Sequence, residues 1–128
     1  MFEGPEDTLF EGGYFRAQMK FPQDYPNNPP EMKFLSKMWH PNIYDDGRVC
    51  ISILHPPGTD DLNPQETAEE RWRPILGAES VLMSIISMLN DPNIDSPANL
   101  DASVHFRDHR EDYNKKVRVL AAKTLDEL

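Results

Sequence analysis

Cysteine is nearly absent: Cys50 is the only thiol in 128 residues, which excludes an internal disulfide and any metal site built on paired cysteines. Basic residues are scarce as well. Thirteen Lys and Arg stand against 22 Asp and Glu, a formal net charge of −9, and such a surface repels nucleic acid and anionic membranes while favouring basic protein partners. No apolar run approaches the roughly 18 residues that a membrane span needs, and the first residues lack the basic, apolar, small-residue layout of a signal peptide. The expectation is a reducing compartment, cytoplasmic or nuclear. The phosphate-binding pattern G-x-x-x-x-G-K-[ST] is missing too. Residues 1–128 read as a single domain, long enough to bury one core without disulfides or metals.

What is present is patterned. Met1 to Glu11 reads as a strand end and a loop leading into a turn at Gly12-Gly13. From Tyr14 to Phe21 the chain alternates, with Phe15, Ala17, Met19 and Phe21 on one face, the period of a half-buried strand. Pro22, Pro26, Pro29 and Pro30 then impose a stiff loop, and Met32, Phe34 and Leu35 return to a strand pattern. Pro56 to Arg71 is acidic and rich in turn formers, the composition of a solvated loop. Beyond Pro74, Val81, Leu82, Ile85, Ile86 and Leu89 form the stripe of a central helix that Pro92 stops. Ser96-Pro97 reads as the cap and first residue of another helix, with Asp101 in its first turns. Tyr113, Val117, Leu120, Ala121 and Leu125 mark the face of a last helix. The fold class is α+β, an antiparallel β-meander followed by helices.

The chemistry centres on His40 to His55, H-P-N-I-Y-D-D-G-R-V-C-I-S-I-L-H. Followed by Ile51, Ile53 and Leu54, Cys50 fits a small hydrophobe in a strand. The turn formers His40-Pro41-Asn42 and Asp45-Asp46-Gly47 instead put it at the mouth of a loop. With Cys50 eight positions after Asn42, and with Tyr14 to Pro30, Trp72 and Pro74, Asp91-Pro92-Asn93 and Ser96-Pro97-Ala98-Asn99 in order around it, the chain resembles the ubiquitin-conjugating enzymes over nearly its whole length. It is most similar to the subgroup that carries an acidic insertion after the cysteine and builds degradation-signal chains. The resemblance implies a four-stranded meander preceded by a helix. Met1 falls where the family's first strand would be ending, so an N-terminally truncated version of the fold is expected. Three outcomes then follow for the edge along Tyr14 to Phe21: self-association, pairing of its beginning with Met1 to Gly4, or a destabilised monomer.

The resemblance also implies a function. Cys50 accepts ubiquitin as a glycyl thioester from the ubiquitin-activating enzyme and passes it to lysines with a RING-type ubiquitin ligase. No metal or organic cofactor is implied, and the activating enzyme uses the ATP. Asn42 is read either as a donor to the reaction's oxyanion or as a cap of its own turn. Ser96, where many members carry an aspartate, is placed on the acceptor side with Asp101, Asp60, Asp61 and His55, which match the insertion-bearing subgroup. Pro26, Asn27, Pro74 and Ile75 fall where ligases bind. Three rivals remain. A zinc site from His40, Cys50 and His55 lacks ligand spacing, and a cysteine protease would draw its base from His105 or His109, in a stretch that reads as a solvated helix face. A non-catalytic binding scaffold is favoured by the absent first helix and opposed by the intact Cys50.

Overall fold

The computed structural model describes residues 1–62, 64–95 and 97–128. Short strands come first: β1 (Phe2–Glu3), β2 (Tyr14–Phe15), β3 (Ala17–Lys20) and β4 (Glu31–Phe34). β1 pairs antiparallel with β2, Phe2 opposite Phe15, and β3 pairs antiparallel with β4, Met19 opposite Met32. The meander continues in outline as bridges from Lys33 to Arg48 and from Ile43 to Val49. Three helices follow, α1 (Ala78–Asn90), α2 (Leu100–Asp108) and α3 (Arg110–Lys123), in keeping with the α+β expectation. Phe15, Phe34, Ile43, Trp72, Val81, Ile85, Tyr113 and Val117 are buried in one core between strands and helices.

The alternation of Tyr14 to Phe21 holds at Phe15, Ala17 and Met19, which face the core, but the stretch is two strands rather than one. The Arg16 N–H donates to Ser36 Oγ (2.8 Å), and the Arg16 carbonyl accepts from Leu35 and Ser36, so the ladder is interrupted there. Phe21 leaves the pattern altogether. It is 49% exposed and meets Tyr25 edge to face with centroids 4.8 Å apart. Of the outcomes expected for this edge, pairing of its beginning is the one observed: β1 reaches only Tyr14 and Phe15, extended by the Gly4 N–H to the Gly13 carbonyl (2.8 Å).

Three helical expectations shift by a residue or a turn. In α1, Val81, Ile85, Met88 and Leu89 are buried, one face at helical spacing, whereas Leu82 lies a step round the helix and is 41% exposed. The cap of α2 is Asn99, whose side chain accepts from the Ala102 N–H at 3.0 Å. Ser96, expected in that role, lies outside the described residues; Asp101 is in the first turn as expected. At the end of α3 the chain tightens into a 3₁₀ turn that moves Leu125 outward. Thr124 is buried in its stead, donating to the Ala121 carbonyl and accepting from the Tyr14 N–H (2.8 Å).

The strand into which Cys50 and the apolar residues after it would fit does not form. Ser52–Leu54 forms a 3₁₀ turn, closed by Leu54 N–H to the Ile51 carbonyl and His55 N–H to the Ser52 carbonyl. A short apolar run fits either conformation. Here Ile53 and Leu54 are partly buried and pack against the core from the 3₁₀ turn.

Candidate active site

His40 builds the turn from inside. It is fully buried, its Nδ1 accepts from the Asn42 N–H (2.9 Å), and its Nε2 lies 2.9 Å from the Met88 carbonyl, an arrangement that fixes the Nε2–H tautomer. Both nitrogens are occupied, which leaves none for a metal or for proton transfer. Burial pushes its pKa from 6.5 down to about 4, against the opposing pull of the Met88 carbonyl. Because the folded value is depressed, the unfolded chain binds the proton first as pH falls. The stabilisation is complete above pH 6.5 and is lost toward pH 4, roughly 3 kcal/mol in all. Wild type should therefore lose roughly 2 kcal/mol more than His40→Gln between pH 7 and pH 5 in urea unfolding. Parallel losses in the two proteins would contradict this.

Asn42 spends its side chain outside its own turn. Nδ2 donates to the Asn93 carbonyl (2.7 Å) and Oδ1 accepts from the Asn93 N–H (2.8 Å). The expected cap of its own turn is thus corrected: His40 already fills that role, and Asn42 grips the segment after α1. Pro41 adds a second strap, its carbonyl accepting from Ala98 and Asn99, while Asn99 Nδ2 reaches Asp45 (3.2 Å). The Asn42 carbonyl takes the Cys50 N–H at 2.9 Å. Between them Gly47 turns the chain with φ +97°, its N–H bonded to the Tyr44 carbonyl.

Cys50 is half-buried at a cavity of roughly 380 Å³ that Asn42 and His55 also line. Glu70, Asp91 and Asp95 share the wall with Glu66, whose charge the neighbouring Arg71 offsets, so the space beside the sulfur is acidic on balance and suits a cation. On its other side Cys50 borders a hollow of roughly 510 Å³ with Lys20, Lys33 and Arg48 on its rim. Cys50, Asn42 and His55 are therefore brought together. Asp60 and Asp61 are exposed within the insertion and are not among the described residues of the cavity wall. Asp101 lines a separate depression with Asp45, Asp46 and Arg48. Ser96 again lies outside the described residues.

Pro26, Asn27, Pro74 and Ile75 are all exposed, Ile75 at 84%. The buried Trp72 joins the two loops: Nε1–H donates to the Pro26 carbonyl (2.8 Å) and the ring meets Tyr25 at a tilt of 39° with centroids 5.9 Å apart. His105 corrects the solvated-face expectation, since it accepts from Trp39 Nε1–H (3.0 Å) and packs edge-on to Tyr113; His109 is exposed. Neither lines the cavity of Cys50 among its described residues.

Sequence reasoning passed over Glu66, counting it among the solvated acids. It is 7% exposed and accepts from Ser52 Oγ (2.6 Å) and His55 Nδ1 (2.8 Å), with Arg71 Nη1 3.0 Å from its other oxygen. The available signal was the spacing of Ser52 and His55, which a 3₁₀ turn brings to one side.

Comparison with known proteins agrees with this geometry. The sequence profile described as "Ubiquitin-conjugating enzyme" matches residues 1–121. Ubiquitin-conjugating enzyme E2 7 of Arabidopsis thaliana is 60% identical over 114 residues, 89% of this chain and 68% of that protein. Ubiquitin-conjugating enzyme E2 15 of Schizosaccharomyces pombe is 53% identical over 126 residues, 98% of this chain and 75% of that protein. Ubiquitin-conjugating enzyme E2 7 of Triticum aestivum is 55% identical over 125 residues, 98% of this chain and 73% of that protein. With its lone thiol at the mouth of an acid-walled cavity and a family match over nearly all of its length, the chain belongs to the ubiquitin-conjugating enzyme family.

Proposed function

We propose that Cys50 is the residue through which this ubiquitin-conjugating enzyme carries its cargo. The observation that carries the reading is the position of the only thiol, half-buried where an acidic cavity opens. The Cys50 sulfur attacks the carbonyl of ubiquitin's C-terminal glycine on the activating enzyme's thioester and expels that enzyme's thiol. One thioester replaces another, so this step needs little acid–base help. A lysine Nζ then attacks the same carbonyl, the tetrahedral oxyanion collapses, the Cys50 thiolate leaves, and an isopeptide bond remains.

An unperturbed lysine has a pKa of about 10.4 and arrives charged. The carboxylates around the cavity hold that cation near the sulfur and supply an acceptor for its proton. Asn42 has two proposed roles, oxyanion donor and clamp of the Asn93 loop, and the second is supported by both of its side-chain hydrogen bonds. His55 acts beside the sulfur. Asp60, Asp61, Asp101 and Ser96 are proposed to guide the incoming acceptor.

The face of Pro26, Asn27, Pro74 and Ile75 is proposed to receive a RING-type ligase, a role supported by its exposure and by the Trp72 link between its loops. In this reading the chain needs no cofactor of its own and ATP is spent on the activating enzyme. It acts in the cytoplasm or nucleus, and its product is a degradation signal. A non-catalytic scaffold is not favoured, because Cys50 and its cavity are intact and the relatives are named as enzymes. The test is a two-step assay, loading with ubiquitin, activating enzyme and ATP, followed by a lysine chase. The expected adduct forms and is then consumed by lysine; failure to form, or an adduct inert to lysine, would overturn the reading.

A further inference from the structure

The insertion after Cys50 is composed as a solvated loop, and its Leu62 is 94% exposed, so apolar burial does not anchor it. Buried charge does. Glu66 Oε2 accepts from Ser52 Oγ and from His55 Nδ1, and Oε1 faces the Arg71 guanidinium at 3.0 Å. Arg71, itself buried, sends Nε back to the Pro56 carbonyl (2.8 Å), and the Trp72 N–H bonds the His55 carbonyl (3.0 Å). The two ends of the insertion are thus tied to each other and, through Ser52, to the 3₁₀ turn directly after Cys50.

A carboxylate is kept out of water only where other groups replace the water it has lost. Burial raises the Glu66 carboxyl, yet the hydrogen bonds of Ser52 and His55 and the charges of His55 and Arg71 outweigh it and hold the group below the usual carboxylate range. Glu66 is therefore an ionised knot at neutral pH. His55, Gln65 and Glu70, which flank it, belong to the wall of the Cys50 cavity.

We propose that Glu66 is a positioning residue for lysine transfer: it locks the base of the insertion to the Cys50 turn and so holds the acidic wall in place for an incoming amine. The proposal rests on Cys50 as the acyl carrier. It concerns the second half-reaction, so the expected loss is in the use of a cationic nucleophile.

The experiment isolates the Cys50–ubiquitin thioester of wild type and of Glu66→Ala, and follows single-turnover discharge with free lysine and with hydroxylamine. Hydroxylamine is small and uncharged at neutral pH and needs no acidic wall. Lysine discharge should fall about fivefold or more, chiefly as a rise in the lysine concentration for half-maximal rate, with hydroxylamine discharge changed less than about twofold. Ser52→Ala removes one hydrogen bond without stranding the charge of Arg71, and should show the same selective loss at smaller size even if Glu66→Ala folds poorly. Equal losses toward both nucleophiles, or an unchanged lysine rate in Ser52→Ala, would overturn the proposal. Failure of wild type to load would overturn the Cys50 reading itself, and is seen before any variant is compared.

Discussion

Asn42→Ala is expected to lower the rate of lysine attack on a preformed thioester by on the order of 10²-fold while leaving loading much less affected. Two consequences add. The alanine removes the amide nearest the reacting carbonyl in the proposed mechanism, and it deletes both bonds that hold Asn93 (2.7 and 2.8 Å). The Asn93 N–H and carbonyl are then left to water, at a cost of about 1–2 kcal/mol in stability. Stability separates the two roles, because only the clamp holds the Asn93 loop in the resting protein. Slowed discharge in Asn42→Ala with an unchanged Tm would assign the effect to the lost donor, whereas slowed discharge that accompanies a lowered Tm would assign it to the loop. Equal losses in loading and discharge by Asn42→Ala would contradict a specific part in lysine transfer.

Gly47→Ala should damage the fold itself. The residue sits at φ +97°, and an added Cβ would lie 2.1 Å from the Phe34 carbonyl oxygen, a backbone atom that cannot swing aside. The left-handed backbone alone costs about 1–2 kcal/mol, and relief of the clash must break the Phe34 N–H to Gly47 carbonyl bond that ties the turn to β4. At least about 2 kcal/mol is expected, a drop in Tm on the order of 8 °C. Gly58→Ala is the control, since φ there is +113° with nothing within 4 Å of the added carbon. Thermal unfolding that ranks Gly58→Ala as the more damaging of the two would contradict this account of the turn.

The parts of the molecule governed by short-range periodicity were legible in the sequence. Phe15 alternating with its neighbours and Val81, Ile85 and Leu89 at helical spacing are buried because each element has one face on the core. The Asp45-Asp46-Gly47 turn was legible because Gly47 occupies a conformation that few other residues tolerate. What escaped depends on partners distant in sequence. Glu66 reads as one more surface acid until Ser52, 14 residues away, meets it. Nothing local marks Asn42 as the holder of Asn93, 51 residues on. The conformation after Cys50 was not legible because Ile51, Ile53 and Leu54 suit a strand or a turn equally, and only the packing decides. The cap of α2 was not legible because Ser96-Pro97 and Asn99 both offer capping chemistry within one turn; the Asn99 side chain accepts from the Ala102 N–H.

The most direct measurement is the intact mass of the protein after incubation with ubiquitin, activating enzyme and ATP, read before and after thiol treatment. With Cys50 as sole acyl carrier, wild type gains a single ubiquitin that thiol releases, and Cys50→Ala gains none. An adduct that survives thiol, or that persists on Cys50→Ala, would contradict the assignment.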